Sequence, residues 1–274
     1  MGAFEYFSKT IQDTLACLKE KPEWRDRYAG IAEDILDNEG FISEVRGKFH
    51  EWSPFKFYLL TNDARDAYPK RTGTRSVTFS MRYLGQQVAK LTATTSIGVQ
   101  CQSDQIQLVL STSGSDYDFD EANKKYFECE IQLKESDWNG DDAKVFRDRF
   151  RRRHSCDTKV KSPEHRIESL LLTEFSKPET PKALIGIQPV RIAKVRFGMP
   201  IPLNAHNRGV VTHSLGPGGI DILARFSTPG QTNLCIIEVK DENIRDEPAT
   251  DAIEQAIKYT VFIHQLLRSD AGAD

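Results

Sequence analysis

The chain lacks the features that would place it in a membrane or outside the cell. None of its apolar runs approaches the roughly 20 residues a spanning helix requires, and its N-terminus has no basic-then-apolar leader. Cysteine is scarce, with five residues at 17, 101, 129, 156 and 235, and none sits in a C-x-x-C pair. An odd, scattered set argues against a disulfide framework or a zinc site and predicts free thiols in a reducing compartment. There is no large excess of one charge either, since 37 Lys and Arg face 40 Asp and Glu for a net −3. Internal repeats and low-complexity tracts are absent. What remains is 274 residues that are 39% hydrophobic, with 15 Phe and 8 Tyr, ample for a core. These properties predict a soluble, cytoplasmic, globular protein with no membrane partner.

Charge is spread unevenly. Residues 144–166 hold nine Lys and Arg against three acids, centred on Arg151, Arg152 and Arg153. A local patch of this kind holds phosphates even on a mildly acidic protein. A solvated helix face explains the same charges equally well.

Texture divides the chain at 153/154. Residues 1–153 read as an N-terminal domain of helices and antiparallel strands, suited to recognition or dimerisation. Phe4, Phe7, Ile11 and Leu15 recur at helical spacing, and Tyr28, Ile31, Ile35 and Leu36 predict a second helix ending at Gly40. From 76 the pattern alternates with period two, predicting strands at 76–83, 88–100, 105–111 and 126–133. A charged helix over 141–153 follows. In 154–274, Ser162-Pro163-Glu164 marks a helix start, with Ile167, Leu170, Leu171 and Phe175 as its apolar stripe. A long, bent strand is expected over 184–197, then a hairpin of 220–226 and 234–240, then a largely buried helix over 248–268. The fold class is α/β (α+β), with a mixed sheet flanked by helices in the C-terminal half.

Within this half, Gly219-Ile220-Asp221 opens one strand and Ile236-Ile237-Glu238-Val239-Lys240 ends the next. Glu238 and Lys240 are two apart and share a face. A hairpin sets Asp221 beside Glu238. Two carboxylates at that distance repel each other, and a divalent cation relieves the repulsion. Oxygen ligands favour Mg²⁺ or Mn²⁺ over zinc. A lysine beside such a metal either orients a hydrolytic water or neutralises charge on phosphorus. An isolated E-x-K is more often a structural pair at a sheet rim. Here an acid opens the preceding strand and Gln255-Ala256-Ile257-Lys258-Tyr259 opens the following helix, which tips the balance to a site.

Residues 162–268 resemble the PD-(D/E)XK nuclease superfamily, the restriction-endonuclease-like fold. Asp221 in G-G-I-D matches the family's aspartate, with Ile220 in place of its proline, and Glu238-Val239-Lys240 matches E-x-K. Gln255 to Tyr259 is similar to the Q-x-x-x-Y helix of RecB-type nucleases. The resemblance implies a metal-dependent endonuclease acting on DNA. Asp221, Glu238 and the Val239 carbonyl would hold Mg²⁺ or Mn²⁺, with Glu168 on the first core helix completing the shell. Lys240 would position the water, and Gln255 would steady Lys240 or the substrate. Tyr259 would contact nucleic acid or pack beneath the site, and Arg151 to Arg153 would hold the backbone. A homodimer is in keeping with the family's habit. Only residues 269–274 follow the last helix, so the family's closing strand is absent or the chain is trimmed, and no cysteine pattern for an iron–sulfur cluster is present. The rival reading is a catalytically silent module of the same fold that binds nucleic acid or a protein.

Other features have plainer explanations. Gly216-Pro217-Gly218-Gly219 lacks the Lys-Ser/Thr of a phosphate loop. Trp52, Phe55 and Phe57 suit a core better than base stacking. His206 and His213 are expected in a loop, as are Asp116, Asp118 and Asp120, which lack the Gly and terminal Glu of a calcium loop. His165 is expected as an ordinary surface residue of its helix.

Overall fold

Two long helices open the chain, α1 (Ala3–Glu20) and α2 (Trp24–Phe49). The computed structural model describes residues 3–49, 55–60, 74–96, 106–112, 119–120, 125–126, 130–133, 140–148, 150, 163–175, 186–203, 219–240 and 249–272. α2 runs straight through Gly40, because Phe41, Ile42 and Val45 continue its buried face. The face α1 buries also differs from the expected stripe. Phe4, Ile11 and Leu15 are exposed, whereas Thr10, Thr14, Cys17 and Leu18 are buried. The small threonines face a close helix neighbour, and Thr14 satisfies its hydroxyl by donating to the Thr10 carbonyl at 2.7 Å.

Four strands follow, β1 (Lys56–Leu60), β2 (Thr74–Tyr83), β3 (Gln86–Ser96) and β4 (Gln107–Ser111). A two-stranded ribbon, β5 (Phe119–Asp120) with β6 (Lys125–Tyr126), precedes β7 (Glu130–Leu133). α3 is helical over 144–148. α4 (Pro163–Glu174) begins at the proline, whose missing N–H costs nothing in a first turn. The stretch expected as one bent strand is three short ones, β8 (Ile187–Pro189), β9 (Arg191–Ile192) and β10 (Val195–Phe197). Pro189 removes a ladder donor, and Ala193 and Lys194 both have positive φ, which makes a tight reversal between β9 and β10. The expected hairpin is present as β11 (Ile222–Thr228) and β12 (Gln231–Ile237), turning on Pro229-Gly230 with Gly230 at φ 85°. α5 (Ala249–Leu266) ends the described architecture with a short 3-10 turn, Asp270–Gly272.

The molecule is a mixed α+β protein with two main sheets. Seven strands form the larger, in the order β7-β4-β3-β2-β1-β10-β9. Its one parallel pairing sets β1 beside β10, with Tyr58 opposite Arg196. That ladder crosses the 153/154 division, so strands from both halves share one sheet. The smaller sheet, β12-β11-β8, is wholly antiparallel.

Three cores hold these layers. Phe79, Met81, Leu91 and Leu110 on one face of the large sheet pack on Phe41, Ile42 and Val45 of α2. Tyr259, Phe262 and Ile263 of α5 pack with Leu18, Trp24 and Tyr28, and Leu223 and Ile236 of the hairpin join them. On the hairpin's other face Ile222 and Ala224 meet Leu172 and Phe175 of α4, with Tyr58 of β1. Alternate residues thus place the small sheet between α4 and α5. The buried side of α4 is Glu168, Ser169, Leu172 and Phe175, while Ile167 and Leu170, expected inside, are exposed. The helix is turned because its inner face meets both sheets and carries a carboxylate with partners there. None of the described helices is long and apolar enough to cross a membrane.

One close approach locks α4 to the large sheet. Gly85, at φ 86° in the β2–β3 turn, lies so close to α4 that a Cβ would stand 2.1 Å from the His165 carbonyl oxygen. Gly85→Ala should therefore cost at least about 2 kcal/mol, from strain at positive φ plus displacement of a helix backbone. Urea denaturation of the variant checks this.

Candidate active site

The β11–β12 ladder runs from Thr228 opposite Gln231 to Ile222 opposite Ile237. One step past its open end, Asp221 and Glu238 stand across from each other, between α4 and α5. Val239 and Lys240 continue beyond the strand, so the E-x-K lies on an extended tail rather than within the ladder. The buried Val239 donates its backbone N–H to Asp221 Oδ2 at 2.7 Å, which fixes the aspartate at the hairpin mouth.

The electrostatics of this pair are unfavourable without a further ligand. Burial pushes the Asp221 carboxyl up to about 6, against the Val239 N–H and the Lys240 charge, with Glu168 and Glu164 adding to the rise. Glu238 is pushed up to about 8, first by burial and then by Asp221, with Lys240 opposing. The Asp221 N–H also opposes the rise, yet it falls short of hydrogen-bond geometry. Both Glu238 oxygens are buried and have no hydrogen-bond partner among the described residues. An unpaired buried carboxylate is costly, and a bound proton or a cation would relieve that cost.

α5 supplies the floor. Gln255 Nε2 donates to the Tyr259 hydroxyl at 2.9 Å. Tyr259 is pushed up to about 12, chiefly by burial, with the Glu238 and Asp221 charges adding to it. Its ring is wholly buried. Buried in this way, Tyr259 packs beneath the carboxylates as a neutral phenol rather than presenting its ring at the surface.

Glu168 is drawn into a different set of contacts. Its Oε1 is 3.5 Å from the Tyr58 hydroxyl and 3.8 Å from Arg82 Nη1, and its Oε2 is 3.5 Å from His165 Nδ1. The Arg82 guanidinium lies over the Tyr58 ring at 4.2 Å, and Arg196 Nη1 meets the Tyr58 hydroxyl at 3.4 Å. His165 is raised by its bond to Glu168 against burial, and the Asp221 charge also reaches it. Glu168 therefore stands beside the pair, with both oxygens already facing side chains. Sequence reasoning missed Tyr58, Arg82 and Arg196 as neighbours of the site. The usable signal was the alternation of β2, where Phe79 and Met81 point inward and leave Ser80 and Arg82 on the opposite face.

A hard divalent cation suits Asp221 and Glu238 on chemical grounds, since both are oxygen donors and Glu238 has buried oxygens to spare. Among the described residues no third His, Cys, Asp or Glu converges with them. Mg²⁺ commonly keeps several waters and takes one or two carboxylates. The chemistry of the pair is compatible with that habit; the Val239 carbonyl and, through water, Glu168 are the further donors such an ion would need.

Arg151, Arg152 and Arg153 lie outside the described residues, as do Trp52, Asp116, Asp118, His206, His213 and 216–218. Phe55 and Phe57 belong to the large-sheet core. Gly219 makes an isolated bridge to Pro200, just before the aspartate. Comparison with protein-family models, curated proteins and solved structures gives no match for this chain.

Proposed function

We propose that this chain is a divalent-metal-dependent nuclease of the restriction-endonuclease-like, PD-(D/E)XK kind, hydrolysing phosphodiester bonds in DNA. The order α4, then an antiparallel β8-β11-β12 sheet whose β8 and β11 are separated by β9 and β10 of the large sheet, then α5, supports the fold assignment. The observation that carries the activity is the buried Glu238 carboxylate, without a hydrogen-bond partner among the described residues, beside Asp221 and with the Lys240 charge reaching both. A divalent cation held there supplies charge against the negative charge that builds on the phosphate in the transition state. Lys240 holds the attacking water by its ammonium hydrogens. The water oxygen bonds to phosphorus as the ester P–O bond opposite it breaks; the attacking water gives a proton up to solvent, and the departing oxygen takes one from solvent. Gln255 fixes the neutral Tyr259, which keeps bulk water from beneath the carboxylates. Residues 1–153 then contribute recognition, or contact between two copies, rather than chemistry.

The test is cleavage of linear, circular and single-stranded DNA, with RNA alongside, in Mg²⁺, Mn²⁺ or EDTA. Cutting of the circle with either metal and none in EDTA is expected. Binding without turnover would favour the silent module, for which the absence of a third convergent acid among the described residues speaks.

A further inference from the structure

A cavity of about 420 Å³ opens where the chain leaves the small sheet for the large one. Among the described residues it is lined by Phe175, Gln188, Pro189, Arg191, Lys194 and Arg225, half of them cations and none an acid. Arg225 is brought there by its register with Gln188, and Lys194 by the positive-φ reversal between β9 and β10. The positive row continues along the large sheet, since Arg191 pairs with Arg196, Arg196 with Tyr58, and Lys56 shares the Tyr58 face of β1. Lys56, Lys194, Arg196 and Arg225 form no ion pair with a carboxylate among the described residues. Burial lowers Lys56 and Arg191, and the Arg196 charge lowers both further, so the cations act on one another. Like charges on facing strands destabilise a sheet unless an anion joins them.

We propose that this cavity and the cations beside it bind the phosphates of a nucleic-acid backbone. The identity of the ligand rests on the nuclease reading above. Placement agrees, because Arg196 reaches the Tyr58 hydroxyl, Tyr58 reaches Glu168, and the Glu168 charge reaches Asp221. A strand lying on this row would end at the carboxylate pair. Phe175, buried in the wall, gives the cavity an apolar side.

The test is binding of a fluorescein-labelled 20-base-pair DNA duplex in EDTA, followed by anisotropy across a salt series. It uses the full chain and a variant carrying Arg191→Gln, Lys194→Gln and Arg225→Gln, with each single substitution as a check on folding. The triple variant should bind at least about tenfold more weakly at moderate salt, with a salt slope shallower by roughly two to three. Its melting midpoint should stay level or rise, because repulsion is removed, and Lys19→Gln at the exposed end of α1 should change neither quantity. Unchanged affinity and slope in the triple variant would overturn the proposal, as would a lower midpoint with the slope intact. Millimolar dAMP that raises the midpoint of the parent but not of the triple variant, at equal duplex affinity, would assign the cavity to a mononucleotide and overturn it too. A chain that binds the duplex through these residues in EDTA but cuts nothing with metal keeps this inference and loses the nuclease reading.

Discussion

Lys240→Ala should lower Mg²⁺-dependent cleavage by about 100- to 1,000-fold, the usual loss when one group that stabilises a transition state is removed. The effect belongs in kcat rather than in binding, since Lys240 acts on the water and on developing charge. Duplex affinity measured in EDTA should stay within about twofold, because one phosphate contact at most is lost. The fold should survive, for Lys240 is only half-buried and lies past the end of β12. Its charge also holds down the Asp221 and Glu238 carboxyls. The residual activity should therefore need a higher pH than the parent's. Full cleavage by the variant, in a preparation free of contaminating nuclease, would remove Lys240 from the mechanism.

A second large effect concerns the metal-free protein. Glu238 is raised to about 8 and Asp221 to about 6 in the fold, whereas an unfolded chain releases such protons near pH 4. Below pH 4 both states are protonated and nothing is lost. Between pH 4 and 8 the folded state keeps protons that the unfolded state has given up, so stability falls as pH rises through that window. Each unit of displacement corresponds to about 1.4 kcal/mol. A loss on the order of 2–4 kcal/mol from pH 5 to 8 would lower the melting midpoint in EDTA by roughly 5–10 °C. Glu238→Gln should abolish most of that decline, since an amide has no proton to lose and no charge to bury. Millimolar Mn²⁺ at pH 8 should restore the parent's midpoint and leave the variant's unmoved. A parent that is equally stable across the window and indifferent to Mn²⁺ would mean that these carboxylates have other partners.

Local patterns made the hairpin legible. Pro229-Gly230 dictates a tight turn, and once the ladder is counted back from it, Asp221 must face Glu238. Pro163 marks the start of α4 for equally local reasons. Faces were less legible, because helical spacing says which residues are apolar and not which neighbour arrives. Phe4, Ile11 and Leu15 line up on α1, yet α5 packs on the threonine side, where Tyr6 donates to Glu254. Likewise α4 turns Ile167 and Leu170 outward so that Glu168 can meet Tyr58, Arg82 and His165. His165 is one turn away on α4, but Tyr58 and Arg82 come from strands about 80 to 110 residues away, and no pattern within α4 announces them. The splitting of 184–197 into three strands depended on Ala193 and Lys194 adopting positive φ, which neither residue type favours.

The parallel seam between β1 and β10 joins Tyr58 to Arg196, two positions 138 residues apart. During synthesis, the antiparallel meander β1 to β4 therefore emerges long before the strand that covers its flank. Until then the outer side of β1 presents unpaired amides and carbonyls, the kind of edge that invites association between nascent chains. Cutting the gene near codon 153 would make that exposure permanent, so the two halves should be expressed together even though only one of them carries the acids.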